Sequence, residues 1–341
     1  MNVDPDHVPA PTFLFQMLGY FDDLRIGYVQ AAQAYYNQAA SFIARGAAEE
    51  TYAYYASTQM AAYALGFPIV TGCHTAHRAA ALRQVGGFAP HDADDLLLTF
   101  LYRAAGWQGV YVPHILARGL TPVHWAGYLR QQHRWARSVL DIKCRAYPRL
   151  VGRLPRTERV LGLLHGLSYV QGLTTGVGVG LLAFMLASGV VPQFMTDGTL
   201  WWGVGLAAVL RGTDCYRQRF FLGGRMEWGL HWRAGLLQLA KWPHLGLALL
   251  EVLFDRHYPY WVTPKVRAPA PRMVVRAHLP IVALLVLAWT VGAVVGHSRP
   301  LLLHLGAAGL VLASLTLMWT EWWTFPAPYD KRLWERQSHG G

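Results

Sequence analysis

Gln131-Gln132-His133-Arg134-Trp135 is the stretch on which the reading of this chain turns. Trp offers a flat apolar platform for a sugar ring. Arg presents a rigid fork of donors that suits phosphate oxygens, and Gln can both donate and accept. Upstream lies an acidic group, Asp92, Asp94 and Asp95, and downstream the chain turns long and apolar. That mixture, placed between carboxylates and hydrophobic runs, points to a site that holds a sugar and a phosphate beside a membrane.

The composition agrees with a membrane setting. The 341 residues leave room for a soluble domain and a membrane domain. Only 14% are charged, and the mean hydropathy is +0.21, poor in charge for a soluble protein. The net charge of +11 would suit nucleic acid or an anionic membrane face, so its distribution decides. Arginines crowd the flanks of the apolar runs, among them Arg130, Arg137, Arg145, Arg149, Arg211, Arg217 and Arg233. That is the bias expected of cytosolic loops. No nucleic-acid module signature accompanies it, so the lipid bilayer is the partner and nucleic acid is not. Cys73, Cys144 and Cys215 are far apart and form no CxxC pair. Cys73-His74 with His77 reads as a reduced buried thiol beside unrelated histidines in preference to a metal cluster. The acidic, proline-containing start does not have the form of a signal peptide.

Periodicity and turn residues predict an α/β first third: helices over 13–22, 52–65, 76–85 and 95–105, and strands over 26–33, 68–71 and 110–112, the last closed by Pro113. Alternation of this kind argues for a doubly wound sheet with a ligand crevice at the strand ends. A basic amphipathic helix over 128–147 is expected along the membrane surface, with Trp135 and Leu140 facing inward. Segments 160–187, 278–295 and 301–319 are long and apolar enough to span a bilayer. Segment 200–210 is a weaker fourth span unless residues from 190 onward join it. Segment 232–254 carries Lys241, Pro243 and Glu251 and reads as interfacial or broken.

Asp4-Pro5-Asp6-His7 puts two carboxylates one residue apart, so on an extended segment both can face one hard divalent cation. Taken in order, this DxD, the 72–82 segment ending in Gly86-Gly87-Phe88, Asp94-Asp95, Gly106-Trp107, the Gln-Gln-His-Arg-Trp run and Tyr260-Trp261-Val262-Thr263-Pro264-Lys265 make the chain resemble the processive, membrane-embedded family 2 glycosyltransferases. Within these, the bacterial cellulose synthase catalytic subunits are the nearest group. The resemblance implies a partial GT-A (Rossmann-like) domain over 1–127, interface helices over 128–159, and a membrane domain of about four spans over 160–323 with a gating loop at 256–268. A cytosolic tail, 324–341, follows.

It also implies roles. Asp4 and Asp6 would bind Mg2+ (or Mn2+) on the diphosphate of a UDP-sugar, with His7 near the pyrophosphate. Asp95, next to Asp94, would be the general base that takes a proton from the acceptor hydroxyl. Trp135 would lie under the acceptor sugar and Gln131 and Arg134 near phosphate. Tyr260, Val262, Thr263 and Lys265 would close over the nucleotide. The chemistry asks for these residue types: an inverting displacement needs a base on the acceptor side and neutralisation of the leaving diphosphate. The expected activity is elongation of a cellulose-like β-linked polysaccharide and its passage across the inner (plasma) membrane, with the catalytic side cytoplasmic. A periplasmic accessory subunit is compatible with it.

The chain departs from the pattern in places. Only three residues precede Asp4, so the strands that grip the nucleotide base are missing, and the chain reads as N-terminally truncated. Asp94 stands where the family has Glu, and Tyr260 where it has Phe. The short tail has no room for a cyclic-dinucleotide-binding PilZ domain. Two other readings stay open: a catalytically incompetent subunit of such a synthase and, ranked below it, a membrane transporter. Without the resemblance, Asp95 would read as a first-turn helix acid and Trp135 as an interfacial anchor.

Overall fold

The computed structural model describes residues 1–220, 222, 227–256, 272–296 and 300–323. The predicted loop residues Tyr260, Val262, Thr263 and Lys265, and the tail, lie outside them. The first 120 residues build a four-stranded mixed sheet, ordered β1-β4-β2-β3. The central pair, β2 (Ile26–Tyr35) and β4 (Gln108–Gly119), is parallel. Short β1 (Val8–Pro9) pairs antiparallel with the end of β4, and β3 (Thr75–His77) antiparallel with β2. The α/β class is as expected, whereas only two of the strands run parallel. The β2 strand is buried along almost its whole length, as a central parallel strand must be. Pro113 does not end β4. The register instead jumps from Ala31 opposite Val112 to Ala32 opposite Ile115, so Pro113 and His114 bulge out exposed where no ladder N–H is needed.

Segment 68–71 is extended and buried, yet it joins no strand ladder. Side chains satisfy its backbone instead. Ile69 N donates to Gln59 Oε1 at 3.1 Å, Val70 N to Thr99 Oγ1 at 2.9 Å and Thr71 N to Gln30 Oε1 at 2.9 Å. Three acceptors from three different elements fix it as a neighbouring strand would.

Around the sheet run α1 (Phe13–Leu18), α2 (Phe42–Ala53), α3 (Met60–Ala64), α4 (Ala79–Gln84) and α5 (Asp94–Ala104). Helix α2 begins ten residues before the expected start, capped by the Ser41 hydroxyl on Ala44 N. It joins α3 through a π-turn, Tyr54–Gln59. The first part of the helix expected over 76–85 is strand β3, because Ala76 pairs with Val29.

The second half is helical: α6 (Trp125–Asp141), α7 (Tyr147–Leu150), α8 (Arg156–Leu164), α9 (Gln171–Ser188), α10 (Asp197–Gln218), α11 (Trp232–Leu253), α12 (Met273–Val295) and α13 (Leu301–Trp323). Among the described residues three segments are long and apolar enough to cross a membrane, 156–188, 273–295 and 301–322. Their large apolar side chains, such as Leu181, Phe184, Leu287 and Leu312, face outward, which suits a lipid surface. The fourth expected span, within α10, is a continuous helix whose uncharged stretch is too short, bounded by Asp197 and Arg211. The first is interrupted at Gly166, whose φ of +82° starts a new helical turn.

Helix α11 is unbroken. It runs through Pro243 and lies at the centre of the helical half, with Leu237 and Ala240 fully buried. Its charges are paired. Lys241 Nζ donates to Glu50 Oε1 at 2.9 Å and to Gln132 Oε1 at 3.0 Å, and Arg233 meets Glu49 at 3.0 Å. Leu237 presses so closely on Gly46 that a Cβ there would stand 2.8 Å from its Cδ1. Helix α6 is likewise more enclosed than a surface helix. Tyr128, Leu129, Gln132 and Ala136 pack inward, with Tyr128 and Leu129 in one core with Ile43 of α2 and Leu237 of α11.

Candidate active site

The acidic centre forms where α5 starts. Gly72, at φ +79°, lies so near Asp95 that a Cβ there would be 3.2 Å from Asp95 Oδ2. Asn2, which pairs with Thr75 in an antiparallel bridge, donates its side-chain amide to Gly72 O. The DxD segment is thereby drawn over the start of α5. Asp95 Oδ1 accepts from Leu96 N at 2.7 Å and Asp94 Oδ1 from Asp95 N at 3.0 Å. Burial pushes the Asp95 carboxyl up to about 7, with the negative charges of Asp94 and Asp4 adding to it against the pull of the Leu96 N–H. Burial also raises Asp94, again with help from Asp4. Asp4, Asp94 and Asp95 thus share one electrostatic neighbourhood, although ninety residues separate them in sequence.

Asp4 is exposed, Asp6 partly exposed and His7 buried. A turn closed by His7 N donating to Asp4 O at 2.9 Å brings their potential ligand atoms within 4.8 Å of one another. Two carboxylates open to solvent are the oxygen donors a hard divalent cation takes, so the residues fit Mg2+ or Mn2+. His7 turns its ring inward. Its Nδ1 lies 3.0 Å from Asp6 Oδ1 and its Nε2 3.1 Å from Gln33 Nε2. Gly119 makes room for that ring, since a Cβ there would fall 1.9 Å from His7 Nε2.

Gln131, Arg134 and Trp135 fall on one face of α6 at i, i+3 and i+4, each half-buried. Between them, Gln132 and His133 face elsewhere: Gln132 holds Lys241, and His133 pairs with Glu251 at 2.9 Å. The motif is therefore split between an open face and a structural one. The acids meet at the start of α5, and the Gln-Arg-Trp face belongs to α6.

Several positioning residues carry no sequence motif. Gln30, fully buried on β2, accepts from Thr71 N at 2.9 Å and donates to Cys73 O at 2.8 Å, holding the turn that presents Gly72. Tyr55, in the π-turn, donates within reach of both Gln33 Oε1 and Thr71 Oγ1 at 3.0 Å. The available signal was a pair of glutamines, Gln30 and Gln33, inside an otherwise apolar strand, where a buried amide demands partners.

Residues 3–138 match the family model described as glycosyltransferase like family 2. Among curated proteins, the chain is similar to three proteins named N-acetylglucosaminyltransferase. That of Neorhizobium galegae is 31% identical over 163 residues, 47% of this chain and 34% of that protein. Those of Rhizobium leguminosarum bv. viciae and Mesorhizobium japonicum are 29% and 27% identical over 216 residues, covering 60% and 59% of this chain. The chain spans 48% and 47% of these two relatives' length, and 34% of the first. The names of these relatives give no specific support to a cellulose synthase.

Proposed function

We propose that the chain transfers a sugar, N-acetylglucosamine, from a nucleotide donor to an acceptor hydroxyl at a membrane surface, with inversion. The observation that carries this is the Asp95 carboxyl, half-buried at a helix start, its pKa pushed up to about 7 chiefly by burial, with Asp94 and Asp4 adding to the shift. A base that loses its proton near pH 7 can take one from an attacking hydroxyl. Asp4 and Asp6 would hold a hard cation there, which when bound neutralises the leaving diphosphate. Trp135 offers the acceptor sugar a flat face, and Arg134 and Gln131 of the same face offer donors to phosphate. UDP as the nucleotide and a growing β-linked chain as acceptor follow from the resemblance. N-acetylglucosamine, in place of glucose, follows from the names of the relatives. The three apolar helices support placement in the inner membrane, with the catalytic side cytoplasmic.

The test is sugar incorporation by membranes containing the chain, supplied with UDP-N-acetylglucosamine or UDP-glucose and Mg2+. Incorporation of N-acetylglucosamine, lost on Asp4→Ala, supports the proposal. Incorporation of glucose alone would overturn the donor assignment. UDP binding that persists unchanged in Asp4→Ala would overturn the metal assignment.

A further inference from the structure

Beneath the DxD turn, on the side away from solvent, His7, Cys73 and His74 bring a ring nitrogen, a sulfur and a ring nitrogen within 4.8 Å of one another, all three residues buried. Cys73 Sγ lies 4.0 Å from His7 Nε2, and the two imidazoles meet edge to face at 4.7 Å between centroids. His74 is the anomaly. It is fully buried, its ring nitrogens make no well-formed hydrogen bond, with only the Ala32 backbone near enough to interact, and its backbone is left-handed, at φ +57°. A poorly partnered buried polar atom and a left-handed non-glycine backbone each cost stability. Both costs fall on one side chain, which is what a missing partner for the ring would produce.

We infer that His7, Cys73 and His74 form a binding site for a zinc-class cation, separate from the oxygen-donor site of Asp4 and Asp6. The donor set selects the metal: one thiolate and two imidazoles suit a borderline-soft ion and not Mg2+. The spacing fits as well. Metal–sulfur and metal–nitrogen bonds of about 2.3 and 2.0 Å at a tetrahedral angle put sulfur and nitrogen roughly 3.6 Å apart, so a small shift from 4.0 Å closes the site. Its outer partners are in place. Asp6 Oδ1 stands 3.0 Å from His7 Nδ1, the carboxylate–histidine pairing that directs the other ring nitrogen to a metal. Cys73 would bind as thiolate, releasing its proton to solvent. The histidine that takes part is His7, from the far end of the domain. His77, the near neighbour in sequence, instead bonds Tyr102 through its Nδ1 at 3.1 Å. The site does not depend on the transferase reading, since it needs no sugar or nucleotide.

The experiment is titration of the full chain, purified in detergent and stripped by chelator, with Co2+ as the spectroscopic probe and then Zn2+. A single equivalent of Co2+ should give thiolate-to-cobalt charge-transfer absorption that Zn2+ displaces and a large excess of Mg2+ leaves intact. The absorption should vanish in Cys73→Ser and in His74→Ala and persist in Cys144→Ser and Cys215→Ser. Zn2+ should also raise the Tm of the unsubstituted chain, a readout that needs no variant to fold. Absence of the absorption together with no Tm rise would overturn the site. So would absorption that survives Cys73→Ser, or that disappears with Cys144→Ser, which would place the metal at an exposed thiol.

Discussion

Replacing Asp95 by Asn should make the protein more stable at alkaline pH and leave it inactive. Asn keeps an oxygen to accept from Leu96 N, now at 2.7 Å, and removes only the charge. In the folded chain the carboxyl is pushed up to about 7, chiefly by burial, against about 4 for an aspartate in an unfolded chain. A raised acid favours the folded state while protonated. Its contribution is therefore full below about pH 4, declines above that, and is lost once the pH has passed about 7. The gap corresponds to roughly 4 kcal/mol at about 1.4 kcal/mol per pH unit. Thermal melting of parent and Asp95→Asn in the same detergent, from about pH 4 to about pH 9, should give curves that nearly coincide in acid. They should separate by on the order of 10 °C in base. Loss of a general base lowers turnover by about 100- to 10,000-fold, and parental kcat/KM should rise with pH up to about 7. A Tm difference that stayed flat across this range would refute the buried-carboxylate argument, and with it the reason for choosing Asp95 as base.

Two further substitutions probe the frame around the site. Gly119→Ala places a methyl where His7 Nε2 would be 1.9 Å away, so it should cost about 1–3 kcal/mol by overpacking. Most of that should return in His7→Ala/Gly119→Ala, and equal Tm losses in the single and double variants would contradict the contact. Lys241→Met leaves Glu50, which also accepts from Tyr128 OH at 2.8 Å, without its cation. The expected loss is about 3–5 kcal/mol, largely recovered in Lys241→Met/Glu50→Gln, where no charge is left buried. Melting of the parent and these two variants decides it, and a double variant no better than the single would refute the buried-charge argument.

Asp4, Asp94 and Asp95 stand out in the sequence as acids, and the structure brings these three into one neighbourhood, whereas Gln131, Arg134 and Trp135 lie together on α6. Helix α5 was legible to within one residue, since Gly106 follows its end and acids open it. Segment 68–71 reads as a strand because hydrophobicity reports burial, whereas its bonding to Gln59, Thr99 and Gln30 is set by residues 10 to 41 positions away. The burial of helix α11 was not legible because Lys241 and Glu251 look solvent-seeking until Glu50 and His133 are known to face them. The thiol–imidazole cluster escaped for the same reason: His7 stands 66 residues before Cys73, and only the sheet brings them together.

The acid end and the tryptophan end of the site are fastened to different helices, and this constrains how the site can move. Helix α5, which opens with Asp94 and Asp95, is tied to α8 by a two-pronged bond from Arg103 to Glu158, whose Nε–Oε2 arm is 2.9 Å. Helix α8 lies in the first apolar segment, 156–188. Helix α6, with Gln131, Arg134 and Trp135, is tied to α11 through Gln132 and Lys241, and to α13 by Trp125 Nε1 donating to Thr320 Oγ1 at 3.1 Å. Glu321 in turn caps α12, accepting from Val274 N and Val275 N at 3.1 and 2.9 Å. Sliding α6 along α11 would break the Gln132 bond to Lys241 and the Tyr128 bond to Glu50, leaving these buried groups short of partners. The α6 face is thus held to the second and third apolar helices and the carboxylates to the first. The two ends are also joined to each other, by His91 Nε2 just before α5 lying 3.2 Å from Asp141 Oδ2 at the end of α6, and the two groups of apolar helices meet where α9 packs on α11. Gly172 allows the close contact there, since a Cβ at that position would lie 2.2 Å from Gly246 N.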